Sequence, residues 1–122
     1  MGYREIIKKI QHESGFSDSE SEVALDTLVE SLAERMTDDE LRKFASQLPQ
    51  ELKDVAMSTP MEDREERHAD IVAEFMIKEQ ISEDHAKKQI LSAWAALKSF
   101  ISEGQISHIR AQLAPVSAQV LY

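Results

Sequence analysis

The chain has 122 residues and a formal net charge of −9, with 13 acids against 7 bases in residues 1–58 and 10 against 7 in the rest. That length makes one domain able to bury roughly two-thirds of its unfolded surface. Acidity in both halves argues against nucleic acid, which needs a basic surface to release counterions, and against an anionic membrane face; the lack of cysteine excludes disulfides and thiolate chemistry.

Apolar residues recur at helical spacing from the start. Tyr3, Ile6, Ile7 and Ile10 mark a first helix. Ser17 and Glu20 then fit a capping box, in which the hydroxyl accepts from a free amide of the first turn and the third side chain reaches back. Leu25, Leu28, Val29, Leu32 and Met36 share one face of the second helix. A second box, Thr37–Glu40, opens a third helix through Leu41, Phe44, Ala45 and Leu48, which ends at Pro49. Leu52, Val55 and Ala56 predict a short amphipathic helix after that proline. Thr59-Pro60-Met61-Glu62 is a further box, with proline at the first helical position, where its missing amide costs nothing.

The pattern then recurs. Ile71, Val72, Phe75 and Met76 mark one helix, and Ser82 caps the next, with His85 in place of the box Glu. That helix carries Ile90, Ala93, Trp94, Leu97 and Ile101. Ser102–Gln105 opens the last one, through Ile106, Ile109 and Leu113, and Pro115 closes it. Met36 with Leu41, and Ile101 with Ile106, are spaced as hydrophobic staples. No segment alternates as a strand would, and without Asn there is no Asn-Gly hairpin signal. The fold class is all-α.

Laid over itself so that Ile6 falls on Ile71, the chain matches itself without a gap. At that offset Ile6, Ile7, Ile10, Phe16, Leu25, Leu28, Val29, Leu32, Met36, Leu41, Phe44 and Leu48 fall on Ile71, Val72, Phe75, Ile81, Ile90, Ala93, Trp94, Leu97, Ile101, Ile106, Ile109 and Leu113. All twelve partners are apolar, although only five positions between Tyr3–Gln50 and His68–Pro115 are identical. The apolar match and the shared helix starts, rather than identity, predict two tandem three-helix repeats forming a single compact helical bundle. Repeat one runs over about 3–50, a structured connector over 51–67, repeat two over about 68–115, and a C-terminal segment over 116–122.

Few residues suggest chemistry. Glu62-Asp63-Arg64-Glu65-Glu66 and Thr37-Asp38-Asp39-Glu40 could gather a cation, but acids in a first helical turn are expected from the helix dipole alone. Neither has the ligand spacing of an EF-hand. His12-Glu13 begins like a zinc-protease helix, yet Phe16 stands where the second His belongs. His68 and His108 have no second His one turn away, and His85 reads as a surface residue of a first turn. Trp94 lies on the apolar stripe and reads as core or inter-repeat packing, with a ligand platform as the alternative. Gln47 and Gln112 end the third helices and could bond a free carbonyl or the neighbouring loop. Carboxylate pairs look solvent-facing, and no Gly-rich phosphate loop exists. No catalytic, cofactor-binding or metal residue is assigned, and no cofactor is expected.

The run Leu25…Leu28…Leu32-Ala33-Glu34-Arg35-Met36-Thr37…Glu40…Ala45-Ser46-Gln47-Leu48-Pro49-Gln50-Glu51-Leu52 resembles the signature of a bacterial family, domain of unknown function 2267. In that family a helix ending Leu-Ala-Glu-Arg-Leu precedes a short helix closing with Gln-Leu-Pro. The second half matches more weakly, through Ala93…Leu97…Ile101-Ser102-Glu103-Gly104-Gln105…Ala111-Gln112-Leu113. Gln105 stands where the family usually has Glu, and Ala114-Pro115 where it has Leu-Pro. The resemblance spans Tyr3 to about Val116. It implies an all-helical fold with an internal duplication, and transfers no catalytic or binding residue.

Residues 1–5 lack the apolar run of a signal peptide, Ile6 stands where a myristoylation motif needs Ser or Thr, and no apolar stretch approaches the roughly 20 residues of a membrane span. A cytoplasmic location is expected. The functional expectation is a protein-interaction or regulatory module without catalytic activity, with no nucleic-acid or membrane partner. Val116, Val120 and Leu121 would cover the second repeat's core or else form a homodimer contact. The alternatives are a divalent-cation binder using clustered acids, and an enzyme with a site between the repeats.

Overall fold

The computed structural model describes residues 2–58 and 70–112. Seven α-helices are seen there: α1 (Tyr3–Ser14), α2 (Asp18–Ala33), α3 (Asp38–Ser46), α4 (Gln50–Met57), α5 (Ile71–Glu79), α6 (Glu83–Leu97) and α7 (Glu103–Gln112). A 3-10 turn, Lys98–Phe100, follows α6. No strand occurs among the described residues, and none of their helices is long and apolar enough to cross a membrane.

The helix starts follow the caps. Ser17, Thr37 and Ser82 each accept from the amide three residues on, at 3.1, 3.3 and 3.2 Å. Ser102 accepts from Gln105 N at 3.2 Å. These bonds satisfy amides that a helix leaves unpaired. α5 is capped by Asp70, whose carboxylate accepts from Val72 N at 2.9 Å. α4 begins directly after Pro49. The box at Thr59–Glu62, the acids at 62–66, His68, Leu113, Pro115 and the segment 116–122 lie outside the described residues.

α2 and α6 pack against each other at the centre, and each buries residues on more than one side. α1 lies on α6 and α2; α5 lies on α6 and, over a smaller area, on α2. α4 closes the side of α2 and carries α3. One continuous core results, centred on Leu25, Leu28, Leu32, Ile90, Trp94 and Leu97. Of the twelve residues on the apolar stripe of the first half, all are buried except Phe16, which packs partly buried against the core.

Element boundaries recur at the offset that pairs Ile6 with Ile71. The cap Ser17 falls on the cap Ser82, and Thr37 on Ser102. The two left-handed residues among those described pair in the same way, Gly15 at φ 78° after α1 and Gln80 at φ 55° after α5. Both terminate a helix by turning the chain back onto its last carbonyls. Gly15 N donates to Gln11 O at 2.8 Å, and Gln80 N to Met76 O.

Candidate functional site

Polar groups converge where α2 ends. Glu30, Ser31, Glu34 and Arg35 face Glu74 and Lys78 of α5. Arg35 Nη1 donates to Glu74 Oε2 at 2.6 Å and to Ser31 O at 2.7 Å. Lys78 Nζ donates to Glu30 Oε1 at 2.8 Å and Glu34 Oε1 at 3.0 Å, and lies 3.0 Å from Glu74 Oε1. Glu34 and Glu74 are only 1% and 5% exposed. The sequence reading places the carboxylate pairs in solvent, and for these two that is corrected. They are buried because α5 docks on the flank of α2 outside its apolar stripe, where Arg35 and Lys78 balance their charge.

Two adjoining buried carboxylates cannot both ionise cheaply. Burial, and the hydrogen bond it shares with Glu74, push Glu34 up to about 7. Burial also works to raise Glu74, but the Glu34 hydrogen bond, the Arg35 charge and Lys78 outweigh it and hold that group down to about 2. Burial opposes the Lys78 charge, yet its three carboxylate partners raise its pKa. The pair therefore holds one proton between its two carboxyls from mild acid to near neutrality.

Arg35 continues this seam into a crevice. Leu32, Arg35, Met36, Glu40, Gln105, His108 and Ile109 line it, from α2 and the turn after it, α3 and α7. Its room is about 10 Å³, the size of one water. Glu40 Oε2 and Gln105 Nε2 are buried with no hydrogen-bond partner among the described residues, so an acceptor and a donor sit in the same small space. His108 Nε2 stands 3.8 Å from Glu40 Oε1. Beside the crevice, Gln47 Oε1 accepts from Ser102 N at 2.8 Å and so ties the end of α3 to the start of α7. Of the two partners the sequence offers for Gln47, this is the neighbouring loop.

The boxes differ from the sequence reading in one respect. Among the described residues, the box acids Glu20 and Glu40 face other helices rather than their own helix starts. Glu20 accepts instead from Gln89 Nε2 at 3.0 Å and bonds His85 Nε2. Although burial opposes it, these two bonds lower the Glu20 pKa. His85 also stacks on Phe16, with ring centroids 5.7 Å apart. His85 is a partly exposed residue of the first turn, as the sequence reading has it, and it also links the starts of α2 and α6. Glu20 and His85 are themselves partners at the repeat offset, as are Glu40 and Gln105.

The remaining candidates separate. His12 is exposed near the end of α1. Trp94 is 1% exposed in the core, and its Nε1 has no partner among the described residues. Asp38 and Asp39 occupy the first turn of α3, where Asp39 pairs with Arg42 at 3.3 Å. Among the described residues no group of three or more His, Asp or Glu is placed to hold a metal ion. The buried seam at the end of α2 is not singled out by the sequence. Its signals there are charge spacing, with Glu30 and Glu34 one turn apart and Glu74 and Lys78 one turn apart, and the run Leu32-Ala33-Glu34-Arg35-Met36 that carries the family resemblance.

Fold and seam together define a small all-helical protein whose main buried polar feature joins its own helices. The chain belongs to the family DUF2267, an uncharacterized conserved protein, whose model matches residues 3–119. The Leu32–Met36, Glu40 and Gln47 positions that carry the resemblance all lie at this junction. Comparison with curated proteins and with solved structures gave no match.

Proposed function

We propose that this chain is a non-catalytic helical module that acts through contact with a protein partner, as an adaptor or regulator. The observation that carries the reading is the state of the seam. Glu34 and Glu74, the acids with the most displaced protonation, bind each other, Arg35 and Lys78, and are almost wholly covered. A general acid or base has to reach the proton it moves, and this pair reaches only protein. The crevice beside it takes about one water, about 10 Å³, whereas ligand pockets run to roughly 300–1,000 Å³.

The test uses the full chain as bait in an extract of the native host at physiological salt, followed by reconstitution with the purified candidate. The expected result is one saturable, stoichiometric complex. Retention of no such partner, or turnover of a small molecule by the purified chain, overturns the reading.

A further inference from the structure

At the offset that pairs Ile6 with Ile71, the junction of α1 with α6 is the counterpart of the α5–α2 seam, and the positions of Glu30, Glu34 and Glu74 hold no acid there. Lys8, Lys9, His12 and Glu13 of α1 and Ala95 of α6 line an open groove of about 400 Å³. At the repeat offset Lys9 falls on Glu74, Glu13 on Lys78, Ala95 on Glu30, Ser99 on Glu34 and Phe100 on Arg35. The contacts correspond as well. Where Glu74 meets Glu34 and Arg35, Lys9 Nζ donates to Ser99 Oγ at 3.0 Å and sits 5.3 Å from the centroid of the Phe100 ring.

The seam shows what closes such a junction. α2 lays two carboxylates, Glu30 and Glu34, one turn apart against a lysine of α5. At the groove Ala95 of α6 and Ser99 of the turn after it stand in place of those carboxylates, and Glu13 stands in place of Lys78; Lys8, Lys9 and His12 are exposed, with Glu13 as the single acid of the lining among the described residues. The chain as a whole is at −9. An acidic segment is therefore repelled by most of the surface and drawn to the place where cations cluster.

We infer that this groove docks an acidic helical segment of a protein partner, two of whose carboxylates, four residues apart and so on one face, lie against the exposed Lys8 and Lys9. The inference rests on the reading of the chain as an interaction module. It names the surface and the chemistry of the partner.

The probe is a fluorescent helical peptide with Glu at two positions four apart, and its counterpart with Gln at both. Binding to the full chain is read by anisotropy at two salt concentrations, with circular dichroism confirming that each variant folds. The Glu peptide should bind saturably and weaken as salt rises. The Gln peptide, and the variants Lys8→Glu and Lys9→Gln with the Glu peptide, should each bind about tenfold more weakly. Lys87→Glu, an exposed charge on α6 outside the groove, should leave binding within about twofold, as for a charge beyond the contact. Equal binding of the two peptides, an equal loss in Lys87→Glu, or no saturable binding overturns the inference. Self-association abolished by Lys9→Gln without peptide binding also overturns it, in favour of a second copy as occupant. A captured partner indifferent to Lys8→Glu removes the groove and leaves the module reading standing. Peptide binding at the groove with no captured partner does the reverse.

Discussion

The Glu34–Glu74 pair makes stability depend on pH in a defined sense. Glu34 is raised in the folded chain, so its contribution is complete below the unfolded carboxylate range and is lost as pH rises towards about 7. Glu74 is lowered, so its contribution is present above the unfolded range and lost as pH falls towards about 2. The pair is therefore most stabilising near the ordinary carboxylate pKa. Between pH 5 and 8 the unfolding free energy should fall by about 2 kcal/mol from this source, as read by urea titration. Glu34→Gln keeps the geometry of the protonated partner, so it should flatten that slope and be the more stable protein at pH 8. Glu74→Gln should cost about 3 kcal/mol, because Arg35 then loses its nearer carboxylate, at 2.6 Å, and keeps Glu34 at 3.9 Å. None of this was legible in the sequence. Helical spacing placed Leu25, Leu28 and Leu32 inward, but Glu34 is buried by α5, which comes from the other half of the chain, and a one-face periodicity cannot report a second covered flank.

Helix starts, in contrast, were readable, because a cap is a local bond between residues three apart. Ser17, Thr37, Ser82 and Ser102 cap as their side chains require. What the third residue of each box does was not readable, since Glu20 chooses a partner on another helix. Helix ends add a further test. Gln80 holds φ 55° with a side chain that is exposed, a conformation that favours glycine. Gln80→Gly should raise stability by about 0.5–1 kcal/mol, and Gly15→Ala should lower it by about 1 kcal/mol, both measured by thermal melts. Gln47→Ala removes the bond to Ser102 N and leaves that amide to water. It should cost about 1 kcal/mol, without altering helix content by circular dichroism.

The bundle is interleaved. α1 packs on α6 and α5 on α2, so each half supplies a wall of the other. Heat should therefore give a single transition, and a fragment ending at residue 58 should show no cooperative melt, since its Leu25 and Leu28 would face water. A stable, cooperatively melting fragment would show that the first half folds alone. The all-helical class and the positions of the helices were legible, because both follow from spacing and caps. The groove at Lys8 and Lys9 was not, because it depends on what stands opposite α1, namely Ala95 and Ser99 from the other half of the chain.

Trp94 gives this interleaving a built-in optical probe. It is the sole indole of the chain and lies 1% exposed at the heart of the packing, where it is shielded from water quenching and dipolar relaxation. Its emission should shift to longer wavelength as the centre opens. One unlabelled chromophore on α6 thus lets stopped-flow refolding time the arrival of the other half.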